Sequence, residues 1–289
     1  MADLKELVTE ELSTPVDPRV RAFAAAIAAK HGKASRAVLF YGSCLRQKQL
    51  EGLMLDFYLV VSDYRETYGK SWLAAANRLI PPNVFYFEHD GLAAKYAVLS
   101  EADFNRECGP RARSTSVVAR FAQPSRLVWA ADEDASRDIV EAVSQCSTTL
   151  LGWTLPLAAR DRTASALWKR AFQLTFGAEL RSERSDRSGL IVDTDRDRYE
   201  RFGKAALGAI RNNGDMALWW KRMQRKGKLL SVLRLAKASA TFAGGADYIA
   251  WKVNRHAGTK IELKPWQRRW PLLAGLILLP RLLKSGAVR

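Results

Sequence analysis

Ala37-Val-Leu-Phe-Tyr-Gly-Ser43 and Leu53-Met-Leu-Asp-Phe-Tyr-Leu-Val-Val61 are the two stretches on which the fold turns. Each is a short apolar run rich in β-branched or aromatic residues and bounded by turn-forming or polar segments, the pattern of a buried strand. The first is broken by Gly42-Ser43, and the second carries one acid, Asp56, in its middle. Upstream, Val20 to Lys30 predicts a helix, with Phe23 and Ile27 four apart and Gly32 as a stop. Downstream, Trp72 to Leu79 predicts a helix ended by Pro81-Pro82, followed by strands at Asn83–Glu88 and Ala94–Leu99. From Glu101 onward the apolar spacing is near 3.6, through 133–151, 164–180 and 203–240, with a polar loop at Arg181–Gly189. The expected architecture is α+β: a mixed sheet with helices in residues 1–130, a helical domain in 131–250, and a basic C-terminal segment in 251–289.

Asp56 is the residue that asks for chemistry. An ionised carboxylate in an oily strand costs several kcal/mol of desolvation unless it meets a strong partner, and a metal ion is the strongest available. Gly42 leaves the backbone unobstructed, so that main-chain N–H groups and the Ser43 hydroxyl can close around phosphate oxygens. Twelve residues separate Ser43 from Asp56, enough for the glycine turn and the acid-bearing strand to lie side by side. Together they predict a site for a magnesium-bound nucleoside triphosphate. Lys95, in an apolar neighbourhood of Tyr96, Val98 and Leu99, needs an anion, and nucleotide phosphate or a nearby acid such as Glu101 or Asp103 would supply it. Arg120 is a candidate phosphate fork.

An apolar residue, Gly-Ser, about a dozen residues and then an acid on a strand resembles the signature of the nucleotidyltransferase superfamily. That pattern usually has a second acid two positions on, where this chain has Tyr58. The departure lowers the likeness to polymerase-like and tRNA-adding members. It raises the likeness to the Tam41-type (mitochondrial translocator assembly and maintenance) phosphatidate cytidylyltransferases, in which Tyr-Gly-Ser precedes Met-[Val/Ile/Leu]-Asp. Tyr41-Gly-Ser43, Met54-Leu-Asp-Phe57, Val84-Phe-Tyr86, Lys95-Tyr-Ala-Val-Leu-Ser100 and Arg120-Phe-Ala-Gln-Pro124 carry the resemblance. It implies transfer of CMP from CTP to phosphatidate, giving CDP-diacylglycerol and pyrophosphate, with Mg²⁺ as cofactor. Asp56 and Lys95 would be catalytic, and Tyr41, Gly42, Ser43, Lys95, Ser100 and Arg120 would bind nucleotide. The metal would sit on Asp56, with Glu88 or Asp63 as a second acid from a neighbouring position. Competing readings are nucleotidyl transfer to RNA or a small alcohol, and a non-catalytic nucleotide-binding membrane protein.

Charge adds the partner. The chain of 289 residues has net charge +16, yet residues 1–200 hold 27 Lys/Arg against 27 Asp/Glu, while 201–289 hold 19 against three. A neutral body with a cationic end predicts a polyanionic partner, nucleic acid or an anionic lipid surface. Trp266 to Lys284 favours lipid over nucleic acid: its apolar core is interrupted by Pro280-Arg281, is shorter than the ~20 residues that span a bilayer, and is flanked by tryptophans and arginines. Arg181, Arg184, Lys252 and Arg255 are candidate contacts to the lipid phosphate. Cys44, Cys108 and Cys146 show no metal-binding or disulfide spacing. The acidic start of the chain lacks the look of a signal or transit peptide. The expectation is a cytoplasmic enzyme, peripheral on the inner face of a bacterial cell membrane, with oligomeric state open.

Overall fold

The computed structural model describes residues 3–47, 50, 52–69, 72–158, 161–179, 187–210, 214, 216–241 and 264. In chain order these form α1 (Leu4–Ser13), α2 (Pro18–His31), β1 (Ser35–Tyr41), α3 (Ser43–Gln47), β2 (Met54–Val61), α4 (Tyr64–Tyr68), α5 (Trp72–Leu79), β3 (Asn83–His89) and β4 (Leu92–Ser100). There follow α6 (Glu101–Cys108), α7 (Ser116–Phe121), β5 (Ser125–Ala130), α8 (Glu133–Thr154), α9 (Ala164–Phe176), α10 (Arg187–Thr194), α11 (Arg196–Ala209) and α12 (Ala217–Thr241). The α+β expectation holds. The five strands make one mixed sheet in the order β3-β4-β2-β1-β5, with β2 and β4 parallel and the other neighbours antiparallel.

The two apolar runs become β1 and β2 because both faces of each are covered. Val38, Phe40, Leu55, Phe57 and Leu59 point to one face, where Phe23 and Ile27 of α2 meet them. Phe23 stacks on Phe57 at 5.4 Å between ring centroids. Asp17 caps α2 by accepting from the Arg19 backbone N–H, Pro18 opens it, and Gly32, at φ 56°, stops it. Ala37, Leu39, Tyr58 and Val60 point to the other face. There one apolar cluster continues without a break into Ile139 and Val143 of α8, Leu167 and Phe172 of α9, Phe202 of α11 and Trp220 of α12. The helical segment after residue 130 thus shares its core with the sheet.

Several expectations change. Residues 125–130 form an edge strand paired with β1, in a part of the chain read as mainly helical and for which no strand was expected. The stretch 203–240 falls in two helices, α11 and α12, and of the loop expected over Arg181–Gly189 the residues from Arg187 belong to α10, while 181–186 lie outside the described residues. The N-terminal α1, unforeseen, is held by an Asp3–Glu6 capping box and buries Leu4, Leu7, Val8 and Leu12. Among the described residues no helix is long and apolar enough to cross a membrane. Arg181, Arg184, Lys252, Arg255 and the Trp266–Lys284 segment lie outside the described residues.

Candidate functional site

Strand register assembles the site. Tyr41, the last residue of β1, pairs with Asp56 on β2; Asp56 pairs with Lys95 on β4; Lys95 pairs with Tyr86 on β3. Residues in one such row project to the same face, so Tyr41, Asp56 and Lys95 stand side by side on the face that carries the helical core. Lys95 Nζ lies 3.1 Å from Asp56 Oδ1, with the two side chains 28% and 18% exposed. The half-buried acid therefore already has a cationic partner from the neighbouring strand, and its place in an apolar strand alone does not call for a metal.

Gly42 follows Tyr41 directly and has φ 94°, a region that side chains rarely adopt. A Cβ there would meet Asp56 Oδ2 at 2.8 Å. The glycine is thus needed twice, for its backbone angle and for the carboxylate packed against it. Ser43 then opens α3. Cys44 is buried and its thiol donates to the Met54 carbonyl at 3.5 Å, which ties the turn to the start of β2. Burial, and then the Asp56 charge, push its pKa up.

Tyr58, two residues beyond Asp56 on the same face, is 2% exposed. It packs at 5.4 Å from the Tyr41 ring and edge-on to Phe121 at 5.2 Å. The position where the superfamily pattern has a second acid is thus filled by a buried aromatic cluster.

Arg120, on α7, reaches the same face. Its Nη1 donates to the Ser116 carbonyl at 2.9 Å and to the Ser116 hydroxyl, and lies 3.5 Å from Glu179. Burial opposes the charge, but Glu179 and then Tyr58, Tyr41 and Asp56 more than offset it, and its pKa rises. Tyr41 moves up as well, through burial first and the Asp56 carboxylate second.

A second guanidinium, missed in the sequence, comes from α12. Arg234 Nε donates to the Pro81 carbonyl at 2.7 Å and Nη2 to the Ser114 hydroxyl at 3.4 Å. No carboxylate among the described residues pairs with it. Burial pulls its pKa down, and the Arg120 charge adds to the pull. Lys237, one turn on, donates to the Ile80 and Pro82 carbonyls, and burial beside Arg234 lowers its pKa to about 7. A basic helix was visible in the sequence, but nothing local showed that it folds back onto the turn before β3.

Three expected residues stand elsewhere. Ser100 is five positions from Lys95, so strand alternation sends it to the opposite face, where its hydroxyl caps α6 by accepting from Asp103 N–H at 3.2 Å. Asp63 caps α4 beyond the far end of β2 and pairs with Arg78 at 3.3 Å. Glu88 shares the face of Lys95 but is exposed, and its carboxylate accepts from the Tyr86 hydroxyl. No group of three or more His, Cys, Asp or Glu that could hold a metal occurs among the described residues. A lone carboxylate fits magnesium in one form, since this ion keeps several waters and often takes one or two carboxylates plus substrate phosphates. Asp56 would be its one protein ligand.

Two surface hollows, of about 240 and 290 Å³, lie away from this cluster, between α6 and α8 and beside α1 and β5. Arg36 in the first is already held by Glu101 and Asp132. No family model and no curated protein matches the chain. The fold and the side chains therefore carry the functional argument.

Proposed function

We propose that the chain is a nucleotidyltransferase that moves CMP from CTP to phosphatidate, yielding CDP-diacylglycerol and pyrophosphate, as the resemblance to the Tam41-type enzymes implies. The observation that carries this reading is the Asp56 carboxylate seated against the positive-φ Gly42 turn and facing Lys95. Arg120, which keeps Glu179 at 3.5 Å, and Arg234 belong to the same face, so three cations stand with two acids, Asp56 and Glu179, and a triphosphate would supply the further negative charge.

In this reading Gly42 lets the main chain approach the phosphates, while Lys95, Arg120 and Arg234 hold phosphate oxygens and orient the α-phosphorus. Asp56 would hold Mg²⁺, which when bound neutralises charge on the triphosphate. A phosphatidate phosphate is already ionised at neutral pH. One of its oxygens forms the new bond to the α-phosphorus as the bond to the bridging oxygen breaks, and pyrophosphate leaves with the electron pair. No proton has to be removed, so no general base is needed, and catalysis rests on positioning and charge. The buried Tyr58 at the second-acid position agrees with that economy. A hydroxyl acceptor on RNA or a small alcohol would instead favour a group to take its proton.

The lipid substrate and the cationic last third support a peripheral place on the inner face of a bacterial cell membrane. The test is incubation of the protein with α-labelled CTP, Mg²⁺ and phosphatidate in mixed micelles, with RNA and glycerol as rival acceptors. Label should enter a chloroform-soluble product and unlabelled pyrophosphate should accumulate. Label in RNA or glycerol, or no transfer at all, would reject the assignment.

A further inference from the structure

Among the described residues none covers the outer face of α12. Along the helix, Leu218, Arg222, Arg225, Leu229 and Leu233 follow one another at steps of four, three, four and four residues, a single stripe. All five are exposed, the leucines by 57%, 60% and 38%. Lys221, Lys226 and Lys228, also exposed, flank the stripe, and residues 217–241 contain seven Lys/Arg and no acid. The inner face is spoken for. Trp220 and Met223 are buried, the Trp220 indole donates to the Trp153 carbonyl at 2.8 Å, and a Cβ at Gly227 would meet the Ala178 carbonyl oxygen. The helix is thus seated on the body by one side and presents leucines among cations on the other.

We infer that this outer face of α12 docks the protein on an anionic lipid surface, the leucines entering the headgroup boundary and the cations meeting lipid phosphates. Charge selects the occupant. A second copy would oppose the same cations to themselves. Residues 242–289 of this chain carry nine Lys/Arg against two acids, so they are a poor counter-charge. Nucleic acid would satisfy the cations and leave three leucines in water. An anionic bilayer answers both at once.

The identity of the anionic surface rests on the lipid reading above, but binding is measurable without turnover. The full chain would be floated with vesicles of phosphatidylcholine alone and of phosphatidylcholine with phosphatidylglycerol, neither containing phosphatidate. The wild type should bind only the anionic vesicles, more weakly as salt rises. Leu229→Gln/Leu233→Gln and Arg222→Gln/Arg225→Gln should each bind about tenfold more weakly, with unchanged circular dichroism. The leucine variant should still turn over detergent-dispersed phosphatidate at the wild-type rate, so docking and chemistry fail separately. Variants that bind as the wild type does would overturn the inference. So would wild-type self-association that the leucine changes abolish, or RNA binding in the absence of any vesicle binding.

Discussion

Replacing Gly42 by alanine tests the geometry on which the site depends, because two penalties of different origin act at one atom. At φ 94° a residue with a Cβ is strained, at a cost of about 1–3 kcal/mol. The new methyl would also lie 2.8 Å from Asp56 Oδ2, where ordinary contact begins at 3.4 Å, so the carboxylate must withdraw by roughly 0.6 Å. That movement disturbs its 3.1 Å approach to Lys95. The expected loss is about 2–4 kcal/mol in urea unfolding, with CMP transfer reduced about a hundredfold by misplacement of the acid. The two penalties separate in a double-mutant cycle. In an Asp56→Ala background the 2.8 Å clash with Oδ2 is gone, while the 3.3 Å approach to the residue 56 Cβ and the backbone strain remain, so Gly42→Ala should cost about 1 kcal/mol less than in the wild type. Equal costs in both backgrounds would show that the methyl and the carboxylate do not meet. A Gly42→Ala protein with wild-type stability and turnover would refute the geometry of the turn.

Asp56→Asn keeps the volume and removes the charge; transfer should fall by about a thousandfold while the melting temperature changes little, the pair with Lys95 being partly solvated. Substantial turnover by that variant would sink the metal and charge role. Arg234→Gln should weaken CTP and pyrophosphate binding about tenfold in titration calorimetry, and unchanged affinity for both would remove Arg234 from the phosphate site. Burial lowers the pKa of His31, which lies 3.0 Å from the Tyr96 hydroxyl, from 6.5 to about 4. A folded value below the unfolded one means that the neutral ring is favoured by folding; this contribution is fully present above pH 6.5 and is lost as pH falls toward about 4. It amounts to about 2–3 kcal/mol after allowance for solvent screening. Comparing wild type with His31→Asn by thermal melting should show a pH dependence over that window in the wild type alone, and parallel curves would contradict it.

The sequence announces Asp56 but not its partner, for a topological reason. The apolar runs 37–41 and 53–61 are local signals, and both became strands. β5 was hidden because an edge strand needs only one good apolar face, and Ser125-Arg-Leu-Val-Trp-Ala130 stands directly before the strong helical period of α8. Ser100 shows the opposite case. Its place in a familiar-looking motif pointed to the nucleotide, yet the odd spacing from Lys95 already put it on the other face of any strand containing both.

The lone acid is the instructive residue. Its environment depends on two pairings, the antiparallel one that sets Gly42 beside it and the parallel one that brings Lys95 across. The first follows from a short connection between consecutive strands, and a reader of the sequence can anticipate it. The second requires a crossover that contains α4, α5 and β3, and Arg234 arrives from much farther along the chain. A carboxylate in an apolar strand therefore points only to some cation facing it. Here that cation is a lysine, and what supports the proposed nucleotide is not the need of one acid but Arg234, which shares the face with Arg120 and its partner Glu179 and has no carboxylate paired with it among the described residues. Two half-buried guanidiniums on one face are costly when Glu179, 3.5 Å from Arg120, is the one carboxylate among the described residues that pairs with either, and in the proposed reading a polyphosphate would be the further anion.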